Sequence, residues 1–96
     1  AWFYELSSQL VNSGLELGLS FDDAEMIIKE LVKALPSLVD EGSSFKDLVS
    51  KVKSPNGTTE AGLNSLNKGS FDTIILDAIQ KATHRSIEIS RELSNE

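Results

Sequence analysis

The amino-acid sequence predicts an all-α fold, a bundle of about five helices. Apolar residues recur at spacings of three and four along most of the chain, which is the period of an amphipathic helix. No segment alternates apolar and polar residues as a half-exposed strand does. The 96 residues, 40% of them hydrophobic, suffice for one compact domain and show no shift in composition that would divide them. We therefore expect residues 1–96 to form a single domain.

The first helix is predicted from Trp2 to Leu17. One face carries Phe3, Leu6, Leu10, Gly14 and Leu17, and a second stripe beside it carries Tyr4, Val11 and Leu15. Apolar side chains therefore cover much of the helix surface, more than a small monomer readily buries. This helix is either the centre of a monomeric bundle or part of an interface with a partner subunit.

The second helix is predicted to begin after Ser20, whose side chain suits the N-cap position. Asp22 and Asp23 follow in the first turn, where the helix dipole favours acidic groups. We expect this helix to continue to Asp40 and to stop at Gly42. Its apolar stripe comprises Ala24, Ile27, Ile28, Leu31, Val32, Leu35, Leu38 and Val39.

Pro36 interrupts this second stripe. Proline has no N–H to donate, and its ring clashes with the carbonyl group four residues earlier. The sequence therefore predicts either a kink between Val32 and Leu35 or two abutting helices.

Three further helices complete the predicted bundle. Ser44 is the expected N-cap of the third, residues 45–52, and the fourth is expected over residues 59–67 with a stop near Gly69. Ser70 is expected to cap the fifth helix. The stripe of this helix comprises Phe71, Ile74, Ile75, Ala78, Ile79, Ala82, Ile89 and Leu93.

Composition argues against several classes of function. The net charge of −6 opposes binding to nucleic acid or to an anionic membrane, and the apolar runs are too interrupted for a membrane span or a signal peptide. The chain has no cysteine, which excludes disulfides and thiolate metal sites and suits a cytoplasmic location. The one histidine, His84, has no neighbouring histidine for a metal site and is expected on a solvated helix face.

Catalytic groups are sparse in these residues. The six glycines are scattered, so there is no glycine-rich loop for a dinucleotide, and we expect no metal site. The acidic pairs Asp22/Asp23 and Asp40/Glu41 lie at helix ends, where solvated charge explains them. The chain also begins inside an apolar helical pattern without an initiator Met, so we expect it to be cut from a longer protein.

The segment from Ser54 to Thr59, SPNGTT, is the one stretch that suits a ligand. Pro55 fixes its own φ and holds Ser54 extended, and Gly57 allows positive φ. A rigid loop then leads into a helix N-terminus, whose unpaired N–H groups and positive dipole end suit a carboxylate or phosphate. The alternative is that Thr58 or Thr59 merely caps a helix.

Residues 52–67, VKSPNGTTEAGLNSLN, resemble the signature segment of the pyrroline-5-carboxylate reductase family. The likeness extends from residues 15–19 through Gly69 and Phe71 to Ala82 and Glu88. It implies that the chain is the C-terminal helical domain of such a reductase, responsible for substrate binding and dimerisation. The resemblance implies that most of the NADPH or NADH is bound by an N-terminal domain that is absent from this chain. The resemblance also implies a homodimer of interleaved helical domains, or a higher homo-oligomer.

The resemblance further assigns roles to the loop. The substrate 1-pyrroline-5-carboxylate is expected to bind at Ser54, Asn56, Gly57, Thr58 and Thr59. Thr59 would lie near the ring nitrogen and is the candidate catalytic proton donor. The sequence departs from the family at Asn56, where glycine is common, and at Lys53, where a small hydroxyl residue is usual. The alternative function is a non-catalytic helical module for self-association or partner binding.

Overall fold

A computed structural model describes residues 1–95 of the protein. These residues contain no strand, so the all-α prediction is confirmed. The five helices are α1 (Trp2–Glu16), α2 (Phe21–Leu38), α3 (Phe45–Val52), α4 (Thr58–Lys68) and α5 (Phe71–Ser94). The chain forms two compact units, Ala1–Leu48 and a second that begins at Val49, so the boundary falls inside α3. No helix among the described residues is long and apolar enough to cross a bilayer.

A tight turn joins α1 to α2 in the first unit. The N–H of Leu19 donates to the carbonyl oxygen of Gly14 at 3.0 Å, and that of Gly18 donates to Leu15 at 3.1 Å. Gly18 has a φ of 101°, which a side chain would strain. This pair of bonds around a left-handed glycine is the Schellman ending of a helix, and it turns the chain back from α1 into α2.

The contact between α1 and α2 is close because small residues face each other. A Cβ built at Gly14 would lie 3.1 Å from the Cβ of Ala24, which is 2% exposed. Val11, at 8% exposure, is the other buried apolar residue of the described chain. Gly14 belongs to the first predicted stripe of α1 and Val11 to the second. The buried face of α1 therefore lies between the two stripes.

The structure agrees with the predicted start of α2 but not with its predicted end. The Oγ of Ser20 accepts from the N–H of Asp23 at 3.1 Å, which confirms the predicted cap. The helix runs through Pro36 without a break, so the alternative of two abutting helices is wrong, and the expected kink stays a prediction. The predicted end at Asp40 is also wrong: the helix ends at Leu38 because Val39 is already extended, with ψ 123°.

The cap of α3 is as predicted. The N–H of Asp47 donates to the Oγ of Ser44 at 3.1 Å, and the N–H of Ser44 donates to the carboxylate of Asp47 at 3.4 Å. The side chain of each residue thus accepts from the backbone N–H of the other, as in a capping box.

In the second unit, α4 packs against α5 through a two-residue turn. Gly69 ends α4, and Ser70 has a left-handed φ of 60°. The prediction that the Ser70 side chain caps α5 is wrong, because capping needs an extended backbone at that position. The carboxylate of Asp72 instead accepts from the N–H of Thr73 at 2.8 Å.

Most large apolar side chains of the described chain stay accessible to solvent. On α1 and its C-terminal end, Phe3 is 79% exposed, Tyr4 80% and Leu17 86%. Of the two alternatives for α1, this exposure favours an interface with a partner subunit over the centre of a monomeric bundle. Exposed apolar surface on this scale is typical of an interface.

Candidate functional site

The predicted ligand loop is a closed β-turn. The carbonyl oxygen of Ser54 accepts from the N–H of Gly57 at 3.0 Å. Pro55 occupies the second position, where its ring fixes a negative φ, and Asn56 occupies the third with a φ of 58°. A negative φ followed by a positive one defines a type II turn. Asparagine tolerates the left-handed region better than most residues, so the turn forms without a glycine at its third position.

The role expected for Gly57 needs correction. Its φ is −88° and its ψ 178°, so the positive φ predicted there belongs to Asn56 instead. Pro55 fixes a negative φ at the second position of the turn. The positive φ of a type II turn therefore falls on the third position, which is Asn56. Gly57 is required for space: a Cβ there would lie 3.1 Å from the carbonyl oxygen of Ser54 and 3.2 Å from its Cβ.

The loop leads directly into the N-terminus of α4. Gly57 is the N-cap and no side chain caps this end, so the alternative that Thr58 or Thr59 is the cap is wrong. Because α4 begins at Thr58, one residue earlier than predicted, both threonines lie in its first turn. The first helical hydrogen bond runs from Ala61 to Gly57 at 3.1 Å. Within residues 1–95 the N–H groups of Thr58, Thr59 and Glu60 therefore have no protein acceptor.

Three other helix starts in the described chain have a side-chain oxygen at a first-turn N–H, although only α2 and α3 are capped by their N-cap residue. A first-turn N–H donates to the Oγ of Ser20 in α2 and to the Oγ of Ser44 in α3, each at 3.1 Å. In α5 a first-turn N–H donates to the carboxylate of Asp72 at 2.8 Å. Only α1, which begins after Ala1, shares with α4 the lack of such an oxygen. The donors of α4 are thus left for another acceptor.

The structure brings all the predicted site residues into this short loop and the first turn of α4. Ser54, Asn56, Thr58 and Thr59 are exposed and Gly57 is half-buried. The hydroxyl groups of Thr58 and Thr59 donate to no other group in the described part of the chain. Three backbone donors and two hydroxyl-bearing residues therefore lie at the helix end whose dipole favours negative charge.

The remaining polar groups form surface interactions. His84 is exposed and its Nε2 lies 2.9 Å from a carboxylate oxygen of Glu88, which confirms its predicted place on a solvated helix face. The carboxylate of Asp40 accepts from the N–H of Gly42 at 2.9 Å. Residues 1–95 contain no group of histidine and acidic side chains arranged to hold a metal ion.

Sequence reasoning missed a groove between α1 and α2, of about 430 Å³, which we call the α1–α2 groove. Apolar side chains line it, namely Tyr4, Val11, Phe21, Ile28 and Val32. The α1 side adds the uncharged Ser7, Ser8 and Asn12, and the α2 side adds Glu25, Lys29 and Lys33. The presence of Tyr4 and Val11 in the second stripe of α1 was the available signal.

Comparison with known proteins agrees with the resemblance seen in the loop. The family model for pyrroline-5-carboxylate reductase dimerisation matches residues 1–89. No solved structure matches the chain significantly.

Several similar proteins are named pyrroline-5-carboxylate reductase. The chain is 34% identical to that of Staphylococcus haemolyticus, an alignment that covers 99% of this chain and 35% of the relative. It is 31% identical to that of Staphylococcus saprophyticus and 32% to that of Staphylococcus aureus, with 94% of this chain and 34% of each relative aligned. The chain thus spans about a third of the length of these relatives. It belongs to the pyrroline-5-carboxylate reductase dimerisation family.

Proposed function

We propose that this chain is the substrate-binding and dimerisation part of a pyrroline-5-carboxylate reductase, an enzyme of proline biosynthesis. The reaction reduces the C=N bond of 1-pyrroline-5-carboxylate to give L-proline, with NADPH or NADH as reductant. The observation that carries the proposal is the uncapped N-terminus of α4 beside the Ser54–Gly57 turn, in a chain of this family.

The substrate carboxylate is the group that suits this end of α4. Its two oxygens can accept from the N–H groups of Thr58, Thr59 and Glu60, which have no acceptor in the described chain. Hydrogen bonds from backbone N–H to an ionised acceptor are stronger than neutral ones, so no basic side chain is needed. Ser54 and Asn56 shape the approach, because their turn positions the backbone of Gly57 directly before the helix.

Thr59 is the proposed proton donor. Reduction of the imine adds hydride to the ring carbon of the C=N bond and a proton to the ring nitrogen. The Thr59 hydroxyl, with no hydrogen bond to the described protein, is available to donate to that nitrogen once the carboxylate is bound. The proton must be replaced from water through the same hydroxyl, since threonine does not stay ionised.

The nicotinamide cofactor does not fit the described residues. A dinucleotide fold needs a strand that leads through a glycine-rich turn into a helix, and residues 1–95 have neither the strand nor that turn. We therefore assign the hydride source to another part of the reductase. The 96-residue chain by itself should show no reductase activity.

The second part of the proposal is self-association in the cytoplasm as an interleaved homodimer. Residues such as Phe3, Tyr4 and Leu17, each 79% or more exposed, would then be covered by the partner subunit. The family description, which names dimerisation, supports this part. A homo-oligomer larger than a dimer is compatible with the same surfaces.

Amide hydrogen exchange on the full-length protein tests the assignment. We expect L-proline to slow exchange at Thr58, Thr59 and Glu60, whereas L-prolinamide, which lacks the carboxylate, should not. The N–H of Thr73, already bonded to Asp72 at 2.8 Å, serves as the internal control. Equal protection by the two ligands would remove the carboxylate role of the loop. Absence of turnover with either NADPH or NADH would favour the non-catalytic association module.

A further inference from the structure

Asn56 is followed directly by Gly57, and no other Asn-Gly pair occurs in the sequence. Asparagine is chemically unstable where the next backbone nitrogen can reach its side-chain amide carbon. A glycine in the next position favours that attack, because glycine has no Cβ to obstruct it and its backbone turns freely. The Asn56 side chain is exposed and makes no hydrogen bond in the described part of the chain, so its amide group can turn towards the Gly57 nitrogen.

The other asparagines are less reactive by the same criteria. Each of them is followed by a residue with a side chain, which hinders the approach of the backbone nitrogen. Asn12, Asn64 and Asn67 also lie inside α1 and α4, where the N–H that follows is bonded along the helix. Asn56 is therefore the position of the described chain at which this reaction is the least hindered.

The closed turn determines when the attack can occur. The N–H of Gly57 donates to the carbonyl oxygen of Ser54 at 3.0 Å. Its nitrogen must lose that proton before it can attack, so the hydrogen bond has to break first. An exposed turn of this kind opens locally without unfolding of the rest of the protein. One backbone hydrogen bond of ordinary strength should slow the reaction about fivefold relative to an open chain.

We propose that Asn56 is a site of spontaneous deamidation, with a rate set by the opening of the Ser54–Gly57 hydrogen bond. Solvent base removes the proton of the Gly57 N–H, and the nitrogen lone pair forms a bond to the side-chain amide carbon of Asn56. The C–N bond of that amide breaks, and its nitrogen leaves with the bonding electrons and takes up a proton from water as ammonia. Water then opens the succinimide ring at either carbonyl group. One opening gives aspartate, and the other gives isoaspartate, which adds a carbon atom to the backbone between residues 56 and 57.

Both products place a carboxylate directly before α4. The helix dipole tolerates this charge, but the charge repels a second carboxylate at the same helix end. Isoaspartate also lengthens the turn, which moves Gly57 away from the Ser54 carbonyl group and displaces the N–H groups of Thr58 and Thr59. We therefore expect the modified protein to bind L-proline several-fold more weakly. This consequence rests on the proposed function, whereas the modification itself does not.

Peptide mass spectrometry tests the modification. Trypsin cleavage after Lys53 and Lys68 gives one peptide, residues 54–68, which carries Asn56 together with Asn64 and Asn67 as internal references. The full-length protein is aged at mildly alkaline pH with and without urea, and a sample digested without ageing gives the background.

We expect Asn56 to react faster than both references, to react faster as the pH rises, and to react about fivefold faster in urea, where the turn is open. Fragmentation should show a mixture of aspartate and isoaspartate. Aspartate alone would exclude attack by Gly57 and overturn the proposal, as would the absence of product in the native protein. Equal rates with and without urea would overturn control by the turn.

Two variants and a binding measurement complete the test. Pro55→Ala releases the fixed φ that holds the turn closed and should speed deamidation several-fold. Gly62→Ala, where a Cβ would meet nothing within 4 Å, should leave the rate unchanged. Equal rates in the Pro55→Ala variant and the unaltered protein would contradict control by the turn. Anion exchange separates the modified form by its added negative charge. Equal L-proline affinity of the two forms would refute the carboxylate role of the loop and leave the modification intact.

Discussion

The carbonyl oxygen of Ser54 accepts a 3.0 Å hydrogen bond from the N–H of Gly57, and a Cβ on residue 57 would lie 3.1 Å from the same oxygen. The hydrogen bond that closes the turn therefore leaves no room for a side chain at its fourth position. Because Gly57 is also the N-cap of α4, the geometry of the turn sets where the unpaired N–H groups of Thr58 and Thr59 point.

The first prediction concerns this contact. Gly57→Ala should push Ser54 away from the start of α4 and misplace the donors by several tenths of an ångström or more. In the proposed full-length reductase we expect KM for 1-pyrroline-5-carboxylate to rise about tenfold, because small misplacements of positioning groups reduce binding and rate steeply. Steady-state kinetics with saturating cofactor measures this.

Gly62→Ala is the matched control. Gly62 lies inside α4 and a Cβ there would meet nothing within 4 Å. The change should leave KM unaltered and raise the free energy of unfolding by up to about 1 kcal/mol through helix propensity. A rise in KM of the same size in both variants would show that the effect comes from α4 in general and not from the turn.

The second prediction separates the two threonines at the start of α4. Thr59→Ala should lower kcat about 100-fold, the scale of a lost general acid, whereas Thr59→Ser keeps the hydroxyl and should retain most of kcat. Thr58→Ala should act mainly on KM. Lys53→Thr, which alters a neighbouring exposed residue, should affect kcat far less than Thr59→Ala. Equal losses in the Thr59→Ala and Lys53→Thr variants would remove the special role of Thr59.

The third prediction concerns the left-handed residue of the turn. Asn56 has a φ of 58°, which glycine adopts without strain and a β-branched residue adopts poorly. Asn56→Gly should therefore keep KM within about twofold, and Asn56→Val should cost about 1–2 kcal/mol of turn stability and raise KM. Kinetics and hydrogen exchange at Gly57 report the two effects. If Asn56→Val left both unchanged, the turn would not need a left-handed residue.

Periodicity and capping rules predicted the helices well because both depend on neighbouring residues. The caps Ser20 and Ser44 could be predicted from the sequence because the hydroxyl of each accepts a hydrogen bond from the N–H three residues later. The end of α2 was missed because no local pattern shows that Val39 turns extended before Gly42. In the loop, sequence placed the positive φ at Gly57 although the preceding proline shifts it to Asn56.

The buried face of α1 could not be predicted from one helix alone. It depends on the direction of α2, which the Leu19 to Gly14 hydrogen bond and the left-handed Gly18 set after the chain turns. The α1–α2 groove follows from the same geometry, since it exists only between two placed helices. Exposed apolar residues on both predicted stripes then lie outside this contact, where a second copy can cover them.

The last prediction tests the contact that sets this geometry. Gly14→Ala would bring two Cβ atoms to 3.1 Å at Ala24, with Leu19 Cδ1 also at 3.4 Å. Overpacking costs about 1–3 kcal/mol and outweighs the gain of up to about 1 kcal/mol in helix propensity, so we expect a net loss in the free energy of unfolding. Ala24→Gly removes the opposing methyl group, and in that background Gly14→Ala should no longer destabilise. Urea denaturation of the two single variants and the double variant gives the coupling, which we expect to be about 1 kcal/mol or more. Strict additivity would mean that α1 and α2 separate readily at this point, and the α1–α2 groove would then lack a fixed shape.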